Sequence, residues 1–450
     1  MSRIRIIITI IVVVLTTLLT GCTGKEPNEI AYVVALGIDS TDDDNYKITI
    51  QYANTTQISG GASESGGKAG SEIVDNVTIE APNIYAGVGL ANNIVSKSFS
   101  MSHAKLIVFS KEIAEKGVKD MIETLVRSEE IRPDVFIAVA NTTANDYLTS
   151  VNPEMEVNPA QYYQLIYQKN QLVGIPDGQL REFFTGLYTD NYDSILPVAG
   201  VIEGAGGNSQ NDDKGQSKDG QNEGSEGSSE SLDSFESKSS DDKDENEKEK
   251  DAEKNTSKYE YDIKNYVGGE TAIEKKNKAE AIGAAVFEKD KMVGELGEVE
   301  TEICKILKGD YTYSYLTYYN NDTPDIPITV KTTQQKKPKY KIDTDKKTVD
   351  IELYIESDLY SLPADYNVEN KIEDFERDVA NYTSSTCTKF INNFTKKYNS
   401  DILKLNEKVK YKFLTNNQYN WFKKNVGWSE YKFSVCTNFK VRRTGLIVRE

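Results

Sequence analysis

The 450-residue chain carries a single histidine, His103, and that scarcity removes whole classes of chemistry. A Ser-His-Asp or Cys-His nucleophile system would have to be built on that one imidazole, and zinc sites of the usual His-rich or Cys-rich kind lack material. Cysteine is almost as rare. Of Cys22, Cys304, Cys387 and Cys436, no two form a C-x-x-C pair, so neither a metal knuckle nor a redox motif is present. The last three allow one disulfide, with Cys387 to Cys436 the least strained pairing, or three buried free thiols. Positive charge is also short. Lys and Arg number 53 against 71 Asp and Glu, a net charge of -18, which argues against a general nucleic-acid or anionic-lipid binder. Part of the excess is local: residues 204–258 hold 16 acidic side chains against 8 lysines, -8 of the total. Carboxylates are otherwise so common that no pair stands out as a general acid and base, and no motif calls for a cofactor or a metal.

Long apolar runs are missing too, except at the start. Arg3 and Arg5 precede residues 6–19, a nearly unbroken hydrophobic stretch of secretory length, too short for a comfortable membrane span. It ends in Leu19-Thr20-Gly21-Cys22. A small residue before a cysteine, with leucine three positions ahead of it, resembles a bacterial lipobox, in which the chain is cut before the cysteine and the thiol joined to a diacylglycerol. The alternative is an ordinary signal peptide followed by a chance cysteine. The lipobox reading makes residues 1–21 a signal peptide and 22–29 a lipidated tether, with Cys22 the acylated (palmitate-type) residue. Two or three acyl chains at about 0.8 kcal/mol per buried CH₂ anchor stably, where one is marginal.

Beyond the tether, residues 30–39 read as a buried strand and 46–52 alternate with period two, so the pair predicts an antiparallel hairpin. A Gly/Ser-rich loop, a strand near 73–81 and a helix from 82 to about 96 follow. A strand at 104–109 runs through Ser110, a candidate N-cap, into a helix expected over 111–127. A strand at 134–141 and helices at 143–149, 159–172 and 179–188 complete an N-terminal α+β domain, 30–190. A middle domain, 191–308, opens with a strand at 195–202 and resumes strand character at 282–287. Between them the composition collapses to Gly, Ser, Asp, Glu and Lys, a segment (about 204–270) expected to be disordered because it cannot bury enough apolar surface. It is best read as an insertion between two strands of one domain. The C-terminal α+β domain, 309–450, is strand-rich to residue 357, then holds an amphipathic helix at 368–398 and an alternating last strand at 431–439. The fold class expected is thus α+β, three domains with mixed or antiparallel sheets and packed helices, plus the acidic insertion.

Candidate contact residues are few. His103 with Lys105 is the sharpest polar pair of the first domain, a site for a partner carboxylate or, more commonly for such a histidine, a loop fixed by a backbone hydrogen bond. Arg442 and Arg443 either dock a partner or flank a last strand. Tyr311, Tyr313 and Tyr315 alternate onto one strand face, suited to sugar stacking or cross-strand packing, and Lys336-Lys337-Pro338-Lys339 reads as a contact for lipid phosphates or, more commonly for such a run, a solvated hairpin turn.

The order of several short motifs resembles the Ger(x)C family, the lipoprotein C subunit of nutrient germinant receptors of bacterial endospores. The match runs through Gly21-Cys22, Glu29-Ile30, Ala35-Leu-Gly-Ile-Asp39, Ser102-His-Ala-Lys105, Glu112-Ile-Ala-Glu-Lys-Gly117 and Arg127-Ser-Glu-Glu-Ile-Arg132. It continues through Ala285-Val-Phe-Glu-Lys-Asp-Lys-Met-Val-Gly-Glu-Leu296, Asn399-Ser-Asp-Ile402, Trp421 and Arg442-Arg-Thr-Gly-Leu446. Thr23-Gly24-Lys25 departs from the Trp-Asp pair usual after the lipid cysteine, and the acidic insertion is larger than expected. The resemblance implies three α+β domains held by lipid at the outer face of the spore inner membrane. It implies partnership with membrane-spanning A and B subunits, no known catalysis and no metal; direct nutrient binding by this subunit is left open, and the net charge argues separately against nucleic acid. The competing class is a stand-alone solute-binding or wall-modifying lipoprotein.

Overall fold

The computed structural model describes residues 3–10, 27–43, 45–53, 74–153, 156, 158–168, 174–189, 191–202, 265–271, 277–319, 327–361 and 371–444. Cys22 and most of the expected insertion lie outside them. Residues 3–10 are helical and exposed, and among the described residues no helix is long and apolar enough to cross a membrane.

Among those residues the strands form two mixed sheets. The larger takes in β1 (Ile30–Ser40), β2 (Tyr46–Ala53), β3 (Val74–Ala81), β4 (Ser98–Ser100), β5 (Leu106–Ser110), β6 (Phe136–Ala140), β7 (Ile195–Val201), β8 (Ala279–Glu288) and β9 (Lys291–Leu296). Its order is β3-β2-β1-β5-β6-β7-β8-β9, with β4 beside the first residues of β1. Strands β1, β5, β6 and β7 run parallel, flanked on each side by antiparallel pairs. The sequence explains the split. β5 and β6 are buried along their whole length and apolar but for the closing Ser110 of β5, as a parallel sheet covered on both faces requires, whereas outlying β3 buries alternate residues.

Helices cover both faces. On one lie α1 (Ile84–Ile94), α2 (Lys111–Lys116), α3 (Lys119–Val126) and α6 (Leu180–Thr189), sharing a core with Ile38, Phe109 and Ile137. On the other, α4 (Ala144–Ser150) and α5 (Pro159–Gln168) bring Tyr147, Tyr163 and Tyr167 against Val108 and Ala138. The single helix expected over 111–127 is two. Gly117 adopts φ 126°, a conformation side-chain-bearing residues resist, and Val118 restarts the chain by donating its N–H to Asp290 O at 3.0 Å.

Two sheets carry the fold, and the larger one continues past the boundary drawn at residue 190. β7 pairs with β6 through Val139↔Val198 and with β8 through Ile195↔Val286, so the large sheet runs straight across position 190. An apolar strand flanked by loops does not announce its neighbours, which is why this continuity escapes local periodicity. β7 and β8, which flank residues 202–278 in the chain, are antiparallel neighbours. Residues 265–271, towards the far end of that stretch, pack back on the sheet, Gly268 N–H donating to Ile282 O at 2.9 Å.

The smaller sheet comprises β10 (Tyr313–Tyr319), β11 (Pro327–Gln334), β12 (Lys339–Asp343), β13 (Thr348–Ser361) and β14 (Lys432–Arg443). β13 is central, with β11 and β12 antiparallel along one side and β14 parallel along the other. Between the two sheets lies α7 (Glu298–Lys308), whose Ile303, Cys304 and Leu307 share a core with Ala284 and Val286 of the large sheet and Val349 and Ile351 of the small one.

Helix α8 (Ile372–Lys397) closes the outer edge of β14 with side chains instead of another strand. Phe433 N–H donates to Asn392 Oδ1 (3.1 Å), Val435 N–H to Thr388 Oγ1 (3.0 Å), Thr437 N–H to Ser384 Oγ (2.9 Å) and Val441 N–H to Glu376 Oε1 (2.9 Å). Every second strand residue thus meets every fourth helix residue, with one rung missing at Ala380. The polar face of this amphipathic helix is what covers an otherwise open row of donors. The shorter helices α9 (Leu405–Val409) and α10 (Asn416–Asn425), which the sequence reading does not place, follow it.

Cys304, Cys387 and Cys436 are all free thiols, and Cys436 is exposed rather than buried. Cys387 faces the core from α8, whereas Cys436 takes one of the outward positions of alternating β14. The two therefore point to opposite sides of the sheet, and no disulfide joins them.

Candidate functional site

In an open α/β sheet, ligands usually enter at the carboxyl ends of the parallel strands. Here the chain fills that end itself. Asp39, at the end of β1, accepts N–H bonds from Ala144 (2.6 Å) and Asn145 (3.0 Å) at the start of α4. Burial raises its carboxyl above the ordinary range, and these two donors pull against that rise. At the neighbouring end of β7, the 265–271 segment lies directly over Gly200, and buried Glu280 accepts from Gly269 N–H and Thr271 Oγ1. The Gly-Ile-Asp39 motif is thereby explained as a helix cap.

Two ionisable groups stand between the sheets, Lys305 buried and Glu302 half-buried. Burial pushes Glu302 up to about 7 and Lys305 down to about 8, and Lys305 Nζ donates to Ile175 O at 3.1 Å. Perturbed groups mark functional sites when a cleft reaches them. These stand on α7, inside the layer that joins the two sheets, and bind the layers together.

The opposite end of the sheet, where β1, β5, β6 and β7 begin, collects most of the motif residues. His103 is exposed just ahead of β5, its ring 4.9 Å edge-on from Tyr32 and its Nδ1 3.0 Å from Ser102 Oγ. Lys105 works through its backbone, donating to Val34 O at 2.9 Å and accepting from Phe136 N–H at 3.0 Å. Glu130 reaches the same loop, accepting Met101 N–H at 2.6 Å. The arrangement fixes the loop and leaves the imidazole edge free of the core. Beside it, Tyr85, Arg127, Ser128 and Glu129 border an open cleft of about 470 Å³.

Further along this end, Asn399-Ser-Asp-Ile402 seals the two sheets together. Asp401 is buried and accepts N–H bonds from Leu405 and Asn406, both at 2.8 Å, while its own N–H donates to Asp193 Oδ2 at 2.8 Å. Ser400 Oγ donates to Phe287 O at 2.9 Å, and Asp193 Oδ1 accepts Lys289 N–H at 2.9 Å. Lys404 bonds Glu182 at 3.1 Å with its ammonium 4.1 Å above the Tyr192 ring. From α10, Tyr419 and Lys423 both reach Asn191 Oδ1, at 3.1 and 3.0 Å. Sequence reasoning singled out the motif and missed this joint, because its acceptors, Asp193 and Phe287, lie more than a hundred residues away.

Arg442 and Arg443 are not brought to His103. They end β14 in the other sheet, where Arg442 pairs with Glu356 at 3.0 Å and Arg443 stands opposite Asp358. The tyrosine stripe is also divided. Tyr311 is buried with its hydroxyl on Thr332, whereas exposed Tyr315 meets Tyr360 edge-on at 5.4 Å. Lys336 and Lys339 sit over the Tyr354 ring, at 5.3 and 5.0 Å. Among the described residues no group of three His, Cys, Asp or Glu side chains has the geometry to hold a metal ion.

Comparison with known proteins places these features in a family. Residues 24–201 match the profile described as spore germination protein N-terminal domain, and residues 282–445 the one described as spore germination B3/GerAC like, C-terminal. Spore germination protein KC of Bacillus subtilis is 26% identical over 176 residues, which cover 36% of this chain and 43% of that protein. The putative spore germination protein YfkR of Bacillus subtilis is 28% identical over 145 residues, 32% of this chain and 37% of that one. Spore germination protein B3 of Bacillus subtilis is 26% identical over 148 residues, 31% and 36%. The aligned stretches thus span under half the length of these relatives. The crystal structure of the GerBC protein superposes with a TM-score of 0.48 at 15% identity, covering 90% of this chain and 96% of that one. With the two profiles matched over 24–201 and 282–445, the chain belongs to the Ger(x)C family of spore germination proteins.

Proposed function

We propose that this chain is the lipid-anchored, non-catalytic C subunit of a nutrient germinant receptor, held by Cys22 at the outer face of the spore inner membrane and assembled with A and B subunits. The observation that supports this most directly is the paired family match beginning at residue 24, two residues past Cys22. The joint at Asp401 supports it as well, since it couples the two sheets into one body with broad outer faces for docking. In this reading the three-domain division of the sequence becomes two sheets presented as one platform. His103 and Lys105 at one end, with Arg442 and Arg443 on the small sheet, are the proposed partner contacts. Because Arg442 already holds Glu356, Arg443 is the freer of that pair.

The test is Cys22→Ala in spores. The variant is expected in the soluble fraction, with nutrient-triggered germination slowed at least about tenfold, because tethering raises the effective concentration of weak docking contacts by roughly 10²–10⁴-fold. Normal germination by an untethered chain overturns the anchoring role. Tight binding of a nutrient by the purified chain alone, with no receptor subunits retained in membrane pull-downs, favours the stand-alone solute-binding reading instead.

A further inference from the structure

The segment from Lys408 to Ser429 contains no aspartate or glutamate in a chain of net charge -18, yet holds Lys408, Lys410, Lys412, Lys423 and Lys424. It also carries three of the most exposed large apolar side chains among the described residues: Leu414 at 94%, Tyr411 at 77% and Trp421 at 68%. Phe413 packs on Phe422 with ring centroids 4.9 Å apart, and on Tyr419 at 5.9 Å, so the loop bearing Leu414 is held against the helix bearing Trp421. Thr415 caps that helix through Gln418 N–H at 3.3 Å. Lys408 turns inward to Leu403 O and Lys412 donates to Ile342 O from an exposed position, while Lys410, its ammonium 5.7 Å from the Tyr419 ring, and Lys424 are exposed around the apolar tips. The flanking acids are Glu407, just before the run, Glu430, just after it and paired with Lys347, and Asp343 of β12, close enough to feel the charge of Lys412.

Topology places this patch. Its anchor points, Thr189 O and Asn191, precede β7, and β7 is parallel to β1. The patch and the first residue of β1 therefore lie at the same end of the large sheet. Three strand spacings, about 14 Å, separate β1 from β7. The eight residues from Cys22 to Ile30 reach at most about 26–29 Å.

We infer that Tyr411, Leu414 and Trp421, ringed by Lys410, Lys412 and Lys424, form a second membrane contact that inserts into the interface of an anionic bilayer at the tethered end of the molecule. The inference deepens the anchored-subunit reading and rests on it. Isolated tips of Trp, Tyr and Leu among lysines suit the headgroup boundary, where amphipathic rings and ammonium groups are both satisfied. A protein partner would favour a contiguous apolar face, and here the rings that would build one, Phe413 and Phe422, are turned to each other. Whole-chain charge hides the patch, because the acidic excess lies elsewhere.

Trp421 reports on the contact directly, since the other tryptophan, Trp428, is buried. The full chain, purified with its lipid and reconstituted on vesicles, is to be compared on phosphatidylglycerol-rich and pure phosphatidylcholine membranes, with Trp421→Phe as the subtraction control. On anionic vesicles, acrylamide quenching of Trp421 is expected to fall roughly threefold, with quenching by interfacially brominated lipid. The Lys410→Gln, Lys412→Gln, Lys424→Gln triple variant is expected to lose that protection, each lysine being worth about a fivefold change in partitioning. A folded chain that floats with anionic vesicles while Trp421 stays open to acrylamide overturns the inference. Protection that appears only with added receptor subunits does so too, and assigns the patch to a protein. A chain that does not float at all refutes the Cys22 anchor, and Trp421 still accessible in that sample refutes the patch as well.

Discussion

Asp401→Ala is expected to lower the unfolding free energy by about 2–4 kcal/mol, because it strands the buried N–H groups of Leu405 and Asn406 and removes the cap that starts α9. The loss should depend on pH in a definite direction. Burial lifts the Asp401 carboxyl from an ordinary 3.8 to about 7; the Asn406 and Leu405 donors oppose the rise and the Asp193 charge adds to it. Between those two values the folded chain binds more protons than the unfolded one, so stability is fullest near pH 4 and declines as pH rises towards about 7. The alanine variant has no such slope. Urea titrations of both proteins should therefore show a wider gap at pH 5 than at pH 8. A gap that widens with pH would mean that the donors hold the carboxylate ionised, and that burial does not govern the site. Since this joint fastens the small sheet to the large one, its loss should also loosen the two as a unit, read as faster amide exchange at Phe287, Asp193 and Asp401 together.

A still larger effect is expected at Gly200. A methyl group added there meets Gly268 C and Gly269 N at 2.1 Å, both backbone atoms, so no rotamer change relieves it. Gly200→Ala should cost about 3 kcal/mol or more and displace the 265–271 segment from the sheet. That displacement would leave Glu280 buried without Gly269 N–H and Thr271 as donors. The matching control is Gly89→Ala on α1, where nothing lies within 4 Å of the new methyl and the change should stabilise by about 0.5–1 kcal/mol. Thermal unfolding of the two variants side by side checks both signs. Equal midpoints would show that the strap over Gly200 yields easily.

The sequence revealed what is local. The β1–β2 hairpin shows as period-two alternation, and its register, with Ile38 against Ile48 and Leu36 against Ile50, places apolar on apolar. Ser110 as a cap is likewise legible, its Oγ accepting Ile113 N–H at 3.4 Å. What escaped is of three physical kinds. Strand order is a matter of partner choice, so nothing around residue 190 declares that β7 will join β6. A single glycine at positive φ breaks the helix at 117, and glycine in sequence does not state its φ. The stretch 405–425 is poor in periodic hydrophobes, because its aromatic residues pack on one another and its remaining apolar tips face out. The chemistry at the candidate contact end was half visible. The lysine-rich, acid-free run can be read off the chain, but the exposure of Leu414 and Trp421 cannot. For Asn399-Ser-Asp-Ile402, resemblance gave the motif and only the fold gives its acceptors.

The helix-to-strand ladder along β14 also sets a length limit. Four helical residues advance about 6.0 Å, while two strand residues advance about 6.6 Å. From Phe433 to Val441 the strand travels about 26 Å. From Asn392 to Glu376 the helix covers only about 24 Å. The two rulers slip out of phase by about 2 Å over the run, roughly half a helical turn's rise. Short Thr388 and Ser384 serve where the rulers still agree, and the longer Glu376 spans the gap where they no longer do. Like a vernier, the pairing can read only a few divisions before it loses coincidence, so α8 and β14 have grown about as long together as this kind of closure permits.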